Sequence, residues 1–147
     1  MVSPKYDYRQ FARTRNVANV VFHPQDSSKV YYMTDTRGRM DIWMQTLPES
    51  NPKQLTFSKE WYLMGFGLSE DGEHIIFLAQ YQGNERAQMF IMPSTGGIPK
   101  RISKNKEKRY FPTTGGELGD NKLLVTTDEA GQTMDVGIMD LTTGDIE

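Results

Sequence analysis

The stretch that decides the fold is Leu68–Ser103, LSEDGEHIIFLAQYQGNERAQMFIMPSTGGIPKRIS. Two apolar runs in it, His74–Gln80 and Gln88–Met92, have the length and composition of β-strands. Gln82-Gly83-Asn84 between them predicts a tight hairpin, because Gly and Asn tolerate the positive φ of such turns. A further turn leads to Pro99–Ser103, which is short enough for an edge strand. The stretch therefore predicts three antiparallel strands joined by turns.

The same pattern recurs on both sides of this stretch at a nearly constant spacing. The central strand aligns with Lys29–Asp35, 45 residues earlier, and with Lys122–Asp128, 48 residues later. The following strand aligns with Asp41–Met44 and with Asp135–Ile138, each 47 residues away. The spacing indicates a repeated structural unit.

A period near 47 residues with four strands per unit is typical of a propeller blade rather than of a helical solenoid. Twisted sheets stacked around an axis bury both faces, which fits the continuous apolar runs of the central strands. The inner strand is predicted at Val17–Phe22, at Leu63–Leu68 and within residues 110–116, whereas the last strand has no third copy before Glu147. We therefore predict an all-β fold, a partial β-propeller of about three four-stranded antiparallel blades with the third incomplete. A two-sheet sandwich of three hairpin units is the alternative.

The repeats also predict how the chain is divided. Residues 1–16 form a lead-in, 17–57 the first blade, 58–103 the second and 104–147 the incomplete third. Complete propellers have about 4–8 blades. The expected partners are therefore the remaining blades of a longer parent chain, or further copies of this chain that complete a ring, such as a dimer.

Composition excludes several classes of function. The chain has 17 basic and 19 acidic residues, so its net charge of −2 gives no support for nucleic-acid binding. It contains no cysteine and no apolar run near the roughly 20 residues of a membrane span. Its first residues lack the apolar core of a secretory signal. We expect no nucleic-acid or membrane partner and a cytoplasmic location, or a periplasmic one if a signal peptide has been removed.

The sequence offers no catalytic set. The Gly-x-Ser-x-Gly nucleophile elbow is absent, as are phosphate-binding and dinucleotide-binding glycine loops. The two histidines, His23 and His74, lack the neighbours of a base or a metal site. The acidic turns 70–72 and 118–121 are too short for a Ca²⁺ loop. We therefore assign no catalytic, cofactor-binding or metal-binding residue.

One basic segment is the candidate interaction site. Six of the ten residues from 100 to 109 are basic, and they lie at the crossing from the second blade to the third. They form a possible patch for an anionic partner: Lys100, Arg101, Lys104, Lys106, Lys108 and Arg109. The alternative is a solvated inter-blade loop, mobile because its like charges repel.

Aromatic side chains mark one equivalent position on the third strand. Trp43 and Phe90 lie 47 residues apart, and Gly137 takes their place in the third copy. We expect the rings to pack against the next blade, with a ligand-stacking platform as the functional alternative. At Gly137 we expect either that a neighbour fills the space or that the outer region is looser.

The repeat resembles the TolB-type β-propeller repeat, which is shared with the N-terminal propeller of the prolyl oligopeptidase family of serine peptidases. The resemblance lies in residues 68–77, the strand 89–92 and the segment 96–103, and in the first copy in Phe22-His23-Pro24 and Asp41-Ile42-Trp43. It covers about residues 17–147. Glu70 departs from the pattern, since the repeat commonly has proline there.

The resemblance implies a function without catalysis in this chain. In peptidases of that family the propeller covers a hydrolase domain that holds the catalytic triad of Ser, Asp and His. The propeller restricts entry to short peptides. This chain would then be a fragment of such a propeller, gating peptide substrates for a hydrolase domain that the chain does not contain. In TolB-like proteins the same propeller is a protein-binding platform, which is the alternative. A short repeat protein that completes a ring by self-association is a further one.

Overall fold

The computed structural model describes residues 15–48, 51–57 and 59–147. All the regular secondary structure in these ranges is β-strand. The lead-in predicted at residues 1–16 falls outside the described residues except for its last two. The strands are β1 Val17–His23, β2 Asp26–Thr34, β3 Asp41–Thr46, β4 Lys53–Gln54, β5 Trp61–Leu68, β6 His74–Tyr81, β7 Gln88–Pro93, β8 Lys100–Arg101, β9 Tyr110–Glu117, β10 Lys122–Thr127 and β11 Asp135–Asp140.

The strands form three antiparallel sheets in chain order. The first has the order β1-β2-β3-β4, the second β5-β6-β7-β8 and the third β9-β10-β11. This confirms the all-β, partial propeller fold with two four-stranded blades and an incomplete third. The third sheet has more of its last strand than expected. Ile146 forms a β-bridge with Met139, and the main chains of Ile138 and Glu147 exchange two hydrogen bonds of 3.0 Å. A fourth strand therefore begins at the end of the chain.

Two hydrophobic cores separate the three sheets. The first core joins side chains of the first and second sheets: Tyr31, Met33, Ile42, Leu55, Leu63, Phe66, Ile75, Phe77, Ala79, Phe90 and Met92. The second core joins the second and third sheets: Ile76, Met89, Ile102, Tyr110, Leu123, Val125, Met139 and Leu141. The strand β6 contributes alternate residues to both cores, which explains its continuous apolar run.

The aromatic side chain of Phe90 faces the preceding blade, not the next one, and Trp43 is not part of the core shared with the second sheet. Phe90 belongs to the core shared with the first sheet, where it stacks on Phe77 at 5.2 Å between ring centroids. The expectation was wrong because side chains alternate along a strand, and Met89 is the residue that faces the third sheet. At Gly137 a Cβ atom would lie 2.5 Å from Cγ2 of Ile146, so a neighbouring side chain fills the space, as expected.

A buried hydroxyl group links the third and last strands of each complete blade. The Thr56 hydroxyl donates to Asp41 at 2.8 Å and accepts the Ile42 N–H at 2.9 Å. In the second blade, the Ser103 hydroxyl donates to the side-chain oxygen of Gln88 at 2.8 Å and accepts the N–H of Met89 at 3.2 Å. These residues are 47 positions apart in the two blades, so the repeat extends to buried polar contacts.

Contacts between neighbouring blades repeat as well. The ammonium group of Lys53 donates to the main-chain oxygen of Thr95 at 2.7 Å, and that of Lys100 donates to Thr142 at 3.3 Å. Each lysine on an outer strand thus binds the β-turn of the following blade. We call these two contacts the lysine links. They connect each complete blade to the blade that follows it.

Candidate functional site: the basic segment and the clefts between blades

The basic segment lies against the third sheet. Lys104 pairs with Asp145. Lys108 donates to the main-chain oxygens of Asp128 at 2.7 Å and Gly131 at 2.6 Å. Lys100 makes one of the lysine links. These contacts hold the segment against the third sheet.

Asp128 is a residue that the sequence analysis missed. Its carboxylate accepts the main-chain N–H of Arg109 at 2.6 Å and the Nε–H of the same residue at 3.0 Å. These hydrogen bonds hold the pKa of Asp128 below its usual value. Asp35, the equivalent residue in the first blade, binds Asn16 in the same way, with the main-chain N–H at 2.8 Å. The aligned aspartates were a signal that could have identified this contact.

Two basic side chains of the segment remain available to an anion. Within the described residues, the side chains of Arg101 and Lys106 have no hydrogen bond or ion pair, and Lys106 is exposed. The other four members of the patch have the partners given above. The patch for an anionic partner stays a prediction, now concentrated on these two residues.

Tyr110 is the fully buried side chain beneath this segment. Its hydroxyl accepts the N–H of Asn105 at 3.2 Å and donates to the Glu129 carboxylate. Burial, with the contribution of Glu129, raises the pKa of Tyr110 far above its usual value. A hydroxyl that keeps its proton serves here to anchor the loop, not to exchange protons.

The two acidic turns meet in a shallow cleft between the second and third blades. The cleft has a volume of about 150 Å³, and Glu70, Asp71, Glu117 and Asp120 are among its lining residues. Burial raises the pKa of Glu117, and the nearby charges of Glu70 and Asp71 raise it further. Within the described part of the chain no group of His, Asp or Glu side chains has the arrangement of a metal site.

A larger cleft of about 520 Å³ opens between the inner strands β5 and β9. Gly67, Thr113 and Glu117 are among its lining residues. A Cβ atom at Gly67 would have no atom within 4 Å, so the cleft is unfilled at this point. Ile76 and Leu123 also line it, so the cleft lies at the inner end of the space between the second and third blades.

The histidines have structural positions. The ring of His23 lies directly over Gly72 of the next blade, whose φ of +74° suits glycine. His74 is the first residue of β6, and its main-chain N–H donates to the Ser69 hydroxyl at 2.9 Å.

In the described ranges no helix is long and apolar enough to cross a membrane.

No protein-family model matches the sequence. Among curated proteins, the peanut (Arachis hypogaea) allergen Ara h 1, clone P17, is 28% identical over 71 residues, which cover 44% of this chain and 12% of that protein. A match of this length and identity does not establish a family.

Solved structures give a clearer likeness. TolB from Acinetobacter baumannii has a TM-score of 0.62 and 18% identity, covering 90% of this chain and 31% of that one. A puromycin-hydrolyzing peptidase of Mycobacterium tuberculosis has a TM-score of 0.67 and 16% identity, covering 90% and 20%. A prolyl endopeptidase has a TM-score of 0.58 and 12% identity, covering 90% and 28%.

These likenesses establish the fold. The chain has the β-propeller fold found in TolB-type and prolyl-peptidase structures, and it spans less than a third of the length of each of the three structures described above. At these identities a shared fold does not transfer an activity.

Proposed function

We propose that the chain is part of the propeller of a prolyl-oligopeptidase-family serine peptidase and gates peptide substrates for a hydrolase domain. The observation that carries the proposal is the exposure of large apolar side chains at both ends of the array. Val17 in β1 is 60% exposed and Val136 in β11 is 61% exposed. Apolar surface of this kind marks a contact with another part of a protein. Further blades of the same parent chain would cover it.

The cleft between β5 and β9 supports a gating role. It lies at the inner strands, where peptides would pass to a domain below the ring, and Glu70 and Glu117 are among its lining residues. The location we propose for such an enzyme is the cytoplasm.

The first experiment uses the full-length product of the gene. Its sequence after Glu147 should continue through further blades to a nucleophile elbow with Asp and His downstream. The purified protein should cleave short proline-containing peptides and leave folded proteins intact. A coding sequence that ends without a hydrolase domain would remove the peptidase proposal.

A substitution in the cleft tests the gate itself. Gly67→Phe should narrow the passage, so the rate of cleavage should fall more for long peptides than for dipeptide substrates. Gly131→Phe is the matched control, because a Cβ atom there also has no atom within 4 Å but lies in a turn outside the cleft. Equal rates for Gly67→Phe and Gly131→Phe with every substrate length would contradict gating at this site.

A TolB-like binding platform is the second candidate, favoured by the similarity to TolB. Self-association would be a third way to cover the exposed ends. Light scattering on the isolated chain separates these cases. A stable dimer would support self-association. A monodisperse monomer that unfolds cooperatively would contradict the proposal that other blades must cover the exposed ends.

A further inference from the structure

An aromatic cavity lies between the first and second sheets. It has a volume of about 300 Å³. Phe77 and Phe90 form part of its wall, and Trp61 meets the Phe90 ring edge-on with centroids 4.6 Å apart. Among the described residues that line it, Thr56 and Trp61 have a polar group in the side chain, and the Thr56 hydroxyl is already hydrogen-bonded to Asp41 and Ile42. The other lining residues are apolar, so an apolar group fits this cavity best.

The rim of the cavity exposes apolar side chains to water. Phe57 is 67% exposed and Ile98 is 93% exposed. The equivalent positions at the next interface, 47 residues later, hold Lys104 and Asp145, which form an ion pair. The repeat therefore does not require apolar residues at this rim.

At the next interface, other residues take the equivalent positions. Gly137 takes the position of Phe90, and Ile146 fills the space beside it. Lys108 takes the position of Trp61 and binds two main-chain oxygens. The cavity is thus a property of the first interface and not of propeller blades in general.

A second cavity, of about 440 Å³, shares Trp61 as a wall. It has a different character, because Asp35, Arg39, Lys59 and Glu60 are among its lining residues. With two acidic and two basic side chains, it suits polar groups without a net charge. Main-chain amides of a peptide are groups of this kind.

We propose that the aromatic cavity binds an uncharged aromatic side chain of a peptide, whose main chain continues past Trp61 into the polar cavity. The ring would pack edge-to-face or offset against Trp61 and Phe90, the geometries that aromatic pairs prefer. Phe57 and Ile98 would cover it from the rim. The site is distinct from the gate at the inner strands and does not depend on a hydrolase domain.

The test is a titration of the whole chain followed by NMR. The chain contains two tryptophans, so its spectrum has two indole N–H signals, and Trp43 serves as an internal reference because it lies on the opposite face of the first sheet. The probe is N-acetyl-phenylalanine amide, with N-acetyl-alanine amide and toluene as comparisons. We expect the Trp61 signal to shift to saturation with the phenylalanine probe while the Trp43 signal stays constant.

Two matched variants separate the cavity from the fold. Phe57→Lys with Ile98→Asp converts the rim to the residues of the next interface and should weaken binding at least about tenfold. Lys104→Phe with Asp145→Ile makes the reverse exchange and should keep the wild-type Kd, because the space there is filled by Ile146. Both variants change exposed positions, and unchanged dispersion of the remaining signals shows that they are folded.

Three results would overturn the proposal. The first is a Trp61 signal that does not saturate, or that responds equally to the alanine probe. The second is an unchanged Kd in Phe57→Lys with Ile98→Asp. The third is equal affinity for toluene and the phenylalanine probe, which would mean that the cavity binds a free ring without peptide recognition.

Discussion

The two interfaces between consecutive blades share a scaffold and differ at their rims. Both contain a lysine link to a main-chain oxygen of the next blade. At the first rim Phe57 and Ile98 are exposed around an aromatic cavity. At the second, Lys104 and Asp145 form an ion pair and the equivalent space is filled. Contacts to the main chain are repeated, whereas contacts between side chains at the rim are free to change, and that is where a specific site can arise.

The largest loss of stability is expected from a substitution at Gly144, which tests how tightly the second interface is packed. Gly144 has a φ of +76°, and a Cβ atom on it would overlap the main-chain oxygen of Ile102. We expect Gly144→Ala to lower the free energy of unfolding by about 2–4 kcal/mol, because the main chain must move. Chemical denaturation followed by circular dichroism measures the loss.

Gly96→Ala is the control at the first interface. Its φ is +98°, but the nearest atom to a Cβ is Cδ2 of Leu55 at 3.3 Å, the end of a flexible side chain. The variant should lose only the cost of the backbone conformation, about 1 kcal/mol. Equal losses for Gly144→Ala and Gly96→Ala would show that the two interfaces are packed alike.

The next largest loss of stability is expected at the second interface, where Ile146 fills the space beside Gly137. A Cβ atom at Gly137 would lie 2.5 Å from Ile146, so Gly137→Ala should destabilise the chain by about 1–3 kcal/mol. In an Ile146→Ala background the same substitution should cost much less. Thermal unfolding of the four proteins in this cycle measures the coupling, and additive losses would mean that Ile146 does not fill the space.

A pH effect distinguishes the buried hydroxyl contacts of the two blades. Burial raises the pKa of Asp41 above 3.8, whereas its counterpart Gln88 does not titrate. A raised pKa means that Asp41 favours the folded state most below pH 3.8, and this contribution is lost as the pH rises through the raised pKa. Asp41→Asn should therefore gain stability relative to the wild type as the pH rises.

Asn is a suitable replacement because Gln54 lies beside residue 41. Asn keeps the size of Asp41, and its side-chain oxygen can still accept the Gln54 amide N–H, which donates to residue 41 at 3.0 Å and to the main-chain oxygen of Thr56 at 2.9 Å. The measurement is the free energy of unfolding of both proteins across the acidic range. A difference that does not vary with pH would contradict a raised pKa at Asp41.

The smallest expected effect concerns the ion pair at the second rim. Lys104 and Asp145 have side chains that are 54% and 66% exposed, so water and salt screen their attraction. Lys104→Ala should cost little, and a double-mutant cycle with Asp145→Ala should show a coupling that disappears in about 1 M salt, where the Debye length is about 3 Å. A coupling that persists in salt would make this rim a structural element equal to the lysine links.

Periodicity made the strands predictable. The central strands were expected at Lys29–Asp35, His74–Gln80 and Lys122–Asp128, and the strands β2, β6 and β10 are found there. The partial propeller followed from the same spacing, because a sheet with two apolar faces must be covered on both sides.

The contacts of side chains were harder to predict than the strands. The direction in which Phe90 faces depends on the exact register of β7, and a shift of one residue would reverse it. The ion pairs of the basic segment join residues about 20–40 positions apart, which no local pattern indicates. The aromatic cavity depends on residues from five separate stretches of the chain. It also depends on side chains that leave the space open, which becomes visible only when the two interfaces are compared.

The lysine links have a consequence for how such an array can evolve. The receiving group in each link is a main-chain oxygen, at Thr95 and at Thr142, so any residue that keeps the turn also keeps the acceptor. A mutation on the receiving blade therefore needs no matching change on the donating blade. Blades joined in this way can be duplicated, exchanged or lost as modules, and each new neighbour finds its attachment point already present.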